Sequence, residues 1–212
     1  MTPIDPRPLD PRWIELVNEL APRVLGRDDR TGSALAAQVA HLSEIYTRER
    51  SALGLAARDA AARLRFFFLR DLPKIEGPLA ELAAVGALPR GETWRLLDVG
   101  AGLGTSILGA AALAMRAGAR RVEVTVLERD AGALDVMGRL AERAAAEGLV
   151  PPIDIDPRRV DLESVELSSL PRVDLVLVGL TLNELFADRS EADRLDAREA
   201  VLRDLAARLD EG

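Results

Sequence analysis

The sequence predicts an α/β protein: an all-helical N-terminal region followed by a domain built on a parallel sheet. Three observations predict it. The hydrophobic period is helical up to about residue 90 and shortens near Arg95. From there, short apolar strands alternate with Ala/Leu-rich helices, the pattern of right-handed βαβ units. A glycine cluster, Gly100–Gly104, stands at the first strand-to-helix junction.

Residues 1–12 carry four prolines among polar residues and read as an extended lead-in. A helix is expected from Trp13 to about Leu25, with Trp13, Leu16, Leu20 and Val24 on one face. The polar cluster Gly26–Gly32 interrupts it. A second helix is expected from Ser33 to Arg50, and it carries His41 and Tyr46. A third, from Ser51 to Arg70, sets Leu53, Ala57, Ala60, Leu64 and Phe67/Phe68 on one stripe, with Arg58 and Arg65 opposite. Phe66–Phe68 read as core packing, with a base-stacking platform as the alternative, and Arg63, Arg65 and Arg70 as a solvated face, with phosphate contact as the alternative. Pro73 and Gly77-Pro78 end this region, with a short helix at Leu79–Val85. Residues 1–90 thus form one helical region and 91–212 the sheet domain.

Arg95–Gly100 is a short strand and Thr105–Ala117 a helix. Val122–Glu128 alternates with period two, and Ala131–Glu147 is a helix closed by Gly148. Ile153–Val160 contains Pro157, which points to a sheet edge. Val173–Gly179 is a buried strand and Glu191–Leu209 a closing helix.

The chain has 212 residues, a net charge of −7 and no cysteine. Disulfides, thiolate-ligated zinc and iron–sulfur centres are therefore excluded. No apolar run approaches the roughly 20 residues of a membrane span, and the N-terminus lacks the apolar stretch of a signal peptide. A cytoplasmic chain with no metal site is expected. Residues 1–90 carry 13 basic and 12 acidic groups, and 91–212 carry 15 and 23. An acidic second half does not attract a phosphate backbone, so any nucleic-acid contact falls to the first part.

The segment Leu96-Leu97-Asp98-Val99-Gly100-Ala101-Gly102-Leu103-Gly104-Thr105 is the most informative. Its glycines let the chain turn sharply and bring backbone N–H groups close to a ligand. The spacing is G-x-G-x-G, with Thr105 where a dinucleotide fingerprint needs its last glycine. Asp98 suits the ammonium of an amino acid and would repel a pyrophosphate. Glu128, at the end of the second strand, suits both hydroxyls of a ribose. Ammonium and ribose together describe S-adenosylmethionine (SAM) better than NAD.

Further along, Asp161-Leu162 stand where a side chain reaches an adenine amino group; a solvated loop is the alternative. Gly179 ends the fourth strand at the sheet's carboxyl edge, where ligands bind in such folds. Thr181, Asn183 and Glu184 follow as substrate-side candidates, with helix capping by Thr181 or Asn183 as the alternative.

Leu96–Thr105, Glu128 and the segment from Asp174 to Leu185 resemble a class I SAM-dependent methyltransferase, over about residues 90–212. The fold implied is a Rossmann-like methyltransferase sheet, the cofactor is SAM, and the site is Asp98, Gly100, Ala101, Gly102, Gly104 and Glu128. A narrower resemblance adds Leu42-Ser43-Glu44-Ile45-Tyr46 and D-L-V-L-V-G-L-T-L-N-E-L, and it is to the mitoribosomal small-subunit methyltransferase-like family. That likeness implies methylation of ribosomal RNA, or of a small-subunit assembly intermediate, as the activity.

The chain departs from that family at Leu103, where a proline is common, and in lacking a cysteine cluster. Four strands are legible where a class I sheet has seven, so the sheet reads as incomplete after the fourth strand and truncated near Asp210. Without cysteine, a cysteine-nucleophile route such as cytosine C5 methylation is impossible. The lack of an N-P-P-Y type segment after the fourth strand argues against adenine N6 chemistry. No catalytic residue is readable. A small-molecule methyltransferase with a helical lid, and a SAM-binding assembly factor without catalysis, are the other readings. The sequence leaves the oligomeric state unspecified.

Overall fold

A computed structural model of the chain describes residues 8–48 and 59–210. Helix α1 (Arg12–Leu25) buries Trp13, Leu16, Val17 and Ala21, so its inward face is centred slightly off the expected stripe, with Leu20 and Val24 at the margin. Helix α2 (Gly32–Arg48) packs Leu35, Val39 and Leu42 against Ala62 and Phe67. Its His41 is exposed, and the side chain of Tyr46 lies outside the described residues.

The third expected helix is only partly visible, because residues 51–58, including Leu53, Ala57 and Arg58, fall outside the described residues. From Ala60 the chain is helical, but not uniformly. A short α3 (Ala60–Ala62) opens into a π-helical stretch, Arg63–Phe68, and returns as α4 (Leu69–Asp71). Periodicity does not reveal such a widening. A 3-10 turn at Leu72–Ile75 leads into α5 (Glu76–Ala84).

Of the leader arginines, Arg70 lies on an exposed face, whereas Arg63 and Arg65 are partly buried. Arg65 grips Asp29 with two bonds of 2.6 and 2.7 Å and reaches Asn18 at 2.8 Å, holding the Asp29 carboxyl below its usual range. Arg70 pairs with Asp71 and lies over the rings of Phe66 and Phe67. Phe67 and Phe68 are core residues, while Phe66 stays partly exposed.

The second half is a four-stranded, wholly parallel sheet of order β3-β2-β1-β4. Its strands are β1 (Thr93–Val99), β2 (Arg121–Glu128), β3 (Ile153–Arg159) and β4 (Leu175–Val178). Central β1 buries Trp94, Leu96, Leu97, Asp98 and Val99, as a strand covered on both faces must. β3 is an edge strand, which is where Pro157 is tolerated.

Helices α6 (Thr105–Arg116) and α7 (Ala131–Ala146) cover one face, and the leader packs over them. The approach is close at Gly109 of α6: a Cβ there would lie 2.5 Å from the Leu72 carbonyl oxygen. Trp13, Phe68 and Leu79 consequently share one core with Leu96, Ile107, Val124 and Leu140. The opposite face is smaller. There Leu97, Val99 and Leu127 meet Leu167, Leu170, Val173 and Leu205, the last from α8 (Glu191–Ala206).

Beyond β4, Val173 donates to the Arg208 carbonyl and accepts from the Asp210 amide, both at 2.9 Å, in a parallel bridge to Leu209. Leu209 thus forms a single bridging pair on the outer side of β4, with residues 211–212 outside the described residues. Arg95 clamps this corner through Asp174 and Asp210. Among the described residues no helix is long and apolar enough to cross a membrane, and no cluster of metal-ligating side chains is present.

Candidate functional site

The candidate site is built where β1 and β2 end. After Val99 the chain must leave the sheet and start α6 within five residues, and it does so with Gly100, Gly102 and Gly104 at φ of +72°, +54° and +75°. These are left-handed conformations that side chains with a Cβ resist. The Gly100 amide donates to the Leu127 carbonyl at 2.8 Å, and the Gly104 amide closes a turn onto Ala101. Ala101 itself is buried. Gly104 is the N-cap of α6 and brings no capping side chain, so the first amides of that helix face the loop.

Space above the loop is tightly assigned. A Cβ on Gly100 would overlap the Thr181 side chain, whose hydroxyl donates to the Gly100 carbonyl at 3.2 Å. A Cβ on Gly104 would meet Met137 of α7, and one on Gly102 would lie 3.3 Å from a guanidinium nitrogen of Arg63.

Asp98 is 1% exposed, and among the described residues its Oδ2 has no hydrogen-bond partner. Burial, reinforced by the nearby Glu128 charge, pushes its carboxyl up to about 8; the Val99 amide opposes this. Next to it, Glu128 is held by three backbone amides. Its Oε2 accepts from Gly102 at 2.8 Å, and its Oε1 from Arg129 and Asp130 at 2.8 and 3.0 Å. Asp130 caps α7 by accepting from the amides of Gly132 and Ala133, at 2.9 and 3.2 Å.

From the neighbouring strand ends come the remaining candidates. Gly179 ends β4, and a Cβ there would approach Ser106 Oγ of α6 at 3.5 Å. Leu180–Asn183 forms a 3-10 turn without a side-chain cap, so neither Thr181 nor Asn183 is a capping residue. The α8 helix is capped by Ser190 instead. Glu184 is half-buried facing Glu128, Arg129 and Arg63; burial raises its pKa, Arg129 and Arg63 oppose the rise, and Glu128 adds to it. Asn183 is exposed, and its carbonyl accepts from Arg198.

Asp161 and Leu162 leave the sheet beside Glu128, since the Val160 amide donates to the Glu128 carbonyl at 3.2 Å. The Asp161 carboxylate is exposed and accepts from the Glu163 amide, and Leu162 packs into the smaller core.

The structure therefore brings Asp98, the glycine loop, Glu128, Thr181 and Glu184 together at the carboxyl ends of β1, β2 and β4, where Gly179 also lies. Sequence reading missed Ser106, Arg129, Asp130 and Met137, and it put Arg63 on a solvated face rather than over the loop. Asp130 was findable, as an aspartate directly before an apolar-periodic helix. Nothing in the sequence brings Arg63, from the distant leader, to this loop.

No protein-family model matches the chain, and no curated protein matches it. Among solved structures it is similar to coclaurine N-methyltransferase bound to N-methylheliamine and SAH. The identity is 16%, the TM-score 0.41, and the match covers 96% of this chain and 56% of that one. It is similar also to a proposed O-methyltransferase from Klebsiella pneumoniae, with 15% identity, a TM-score of 0.36, and 92% and 86% of the two chains covered. The chain thus spans just over half the length of the first of these. By its own strand order and loop geometry, the chain is a Rossmann-like α/β protein whose glycine-loop site lies under a helical leader.

Proposed function

We propose that this chain is a cytoplasmic SAM-dependent methyltransferase, with residues 91–212 as the cofactor domain and 1–90 as a helical region serving it. The carrying observation is Asp98: a buried carboxyl with an unpartnered oxygen at the root of a glycine loop. A buried polar atom without a partner is costly, and a ligand that supplies one is selected by its chemistry. An ammonium suits this oxygen.

Glu128 suits the ribose. Three of the roughly four lone-pair directions of its carboxylate are taken by amides that fix its position, and one remains for a hydroxyl. The residues fit a nucleoside carrying an amino acid. They fit a pyrophosphate poorly, because Glu128 lies beside the loop amides and a pyrophosphate brings no cation to Asp98.

When bound, SAM supplies an electrophilic methyl group, and the protein's task is mainly orientation. The loop amides and Glu128 hold the nucleoside, and Asp98 holds the amino-acid end. Glu184, whose raised pKa makes it a stronger base than an exposed carboxylate, receives the proton that an acceptor N–H or O–H gives up.

For the acceptor, the sequence motifs support ribosomal RNA or a small-subunit assembly intermediate, reached through the near-neutral leader. A small-molecule acceptor is the second reading, favoured by the leader's Arg63 standing directly over the loop like a lid. Calorimetry with SAM and S-adenosylhomocysteine tests binding; absence of heat with either overturns the cofactor reading. Label transfer from methyl-labelled SAM to 30S particles separates the acceptors, and binding without transfer to any acceptor leaves a non-catalytic assembly factor.

A further inference from the structure

We infer that Arg63 recognises the α-carboxylate of the cofactor's amino-acid moiety, so that the helical leader completes the cofactor site. The inference rests on the SAM reading and assigns the half of the zwitterion that Asp98 does not satisfy.

Position comes first. A guanidinium nitrogen of Arg63 stands 3.3 Å from where a Cβ on Gly102 would be, directly above the middle of the loop. The side chain is only 17% exposed, and the other terminal nitrogen of the guanidinium approaches Asp130 at 3.9 Å. Arg65, two residues along the same helix, turns away from the loop to Asp29 at 2.6 Å. Asp130 already accepts from two amides of α7, so it needs Arg63 less than a desolvated carboxylate would.

Charge points the same way. Glu128 and Glu184 make the site acidic, as does Asp98 once an ammonium meets it, and a ligand carboxylate needs a cation there. Arg63 and Arg129 both act on Glu184, but Arg129 is exposed while Arg63 is largely enclosed. A guanidinium presents a planar fork that matches a carboxylate with two parallel bonds.

The backbone adds a third observation. Arg63 is the first residue of the π-helical stretch Arg63–Phe68, and such widened turns are frequent at functional sites. The stretch lets Arg63 face the loop while Arg65 faces Asp29 and Asn18 inside the leader.

The test is calorimetry on the full chain with S-adenosylhomocysteine and with its decarboxylated analogue. The wild type is expected to prefer the carboxylated compound about 10- to 100-fold, the range of a charge-assisted pair. In Arg63→Ala this preference collapses to near unity, while affinity for the analogue stays within about twofold. Arg63→Lys keeps charge without the fork and retains part of the preference; it serves also where the truncation unfolds the leader, as judged by thermal melting. An Arg63→Ala chain that keeps the preference, or that loses both ligands equally, overturns the inference and leaves Arg63 as a tie between leader and loop. A wild type that binds neither compound overturns the SAM reading itself.

Discussion

The Gly102 amide donates a 2.8 Å hydrogen bond to Oε2 of Glu128, tying the middle of the glycine loop to the end of the neighbouring strand. The same carboxylate receives Arg129 and Asp130, so one side chain fixes both strand-to-helix junctions. Glu128→Ala is expected to lower unfolding free energy by about 1–3 kcal/mol, because three amides lose their acceptor. Glu128→Gln keeps one carbonyl acceptor and is expected to cost less than the alanine. Both lose tenfold or more in affinity for S-adenosylhomocysteine. Urea unfolding and calorimetry on the pair check this; unchanged affinity in both variants removes Glu128 from the ribose role.

Gly100→Ala forces a Cβ into Thr181 at a φ of +72°. Strain of this kind costs about 1–3 kcal/mol before the overlap is counted. In Gly100→Ala/Thr181→Gly the overlap is relieved and the backbone strain stays, so stability is expected to recover only in part. Equal stabilities for the single and double variants contradict the packing described for Thr181.

Asp98 makes stability fall with rising pH. Its carboxyl is raised from 3.8 to about 8, so between these values the native chain holds a proton that the unfolded chain has released. The stabilisation is complete below about pH 4 and disappears as pH passes through about 8. Glu184, also raised, acts in the same direction. Asp29 and Asp71, both lowered, are ionised in both states across this window. Urea unfolding between about pH 5 and pH 8 is expected to show the decline, and Asp98→Asn to flatten it.

The same group links cofactor binding to protons. A cation entering beside Asp98 stabilises the carboxylate, so binding below about pH 8 releases close to one proton. Calorimetry in two buffers of different ionisation enthalpy measures this release, and Asp98→Asn abolishes it. A wild type with no buffer dependence shows that no cation meets Asp98.

Asp130→Ala removes the N-cap of α7, whose side chain accepts from Gly132 and Ala133. A loss of about 1 kcal/mol is expected, read from chemical unfolding. Because Asp130 also competes with a ligand carboxylate for Arg63, its removal is expected to leave affinity for S-adenosylhomocysteine intact or raise it.

The sequence by itself determined the parallel α/β domain, its glycine loop and the edge position of β3. Those follow from local signals: period two in Val122–Glu128, glycines at the first junction, and a proline in Ile153–Arg159 that a central strand does not tolerate. That Asp98 and Glu128 come to the same edge was legible too, because the strand ends of a parallel sheet converge there.

Tertiary structure alone decided what covers the loop. Thr181 and Met137 reach it from β4 and α7, and Arg63 reaches it from the leader, across contacts that no local period encodes. The π-helical stretch that aims Arg63 is equally invisible to a helical pattern. Burial decided the chemistry: the same Asp98 in an exposed loop would be an ordinary carboxylate, and desolvation inside the sheet is what gives it a pKa of about 8.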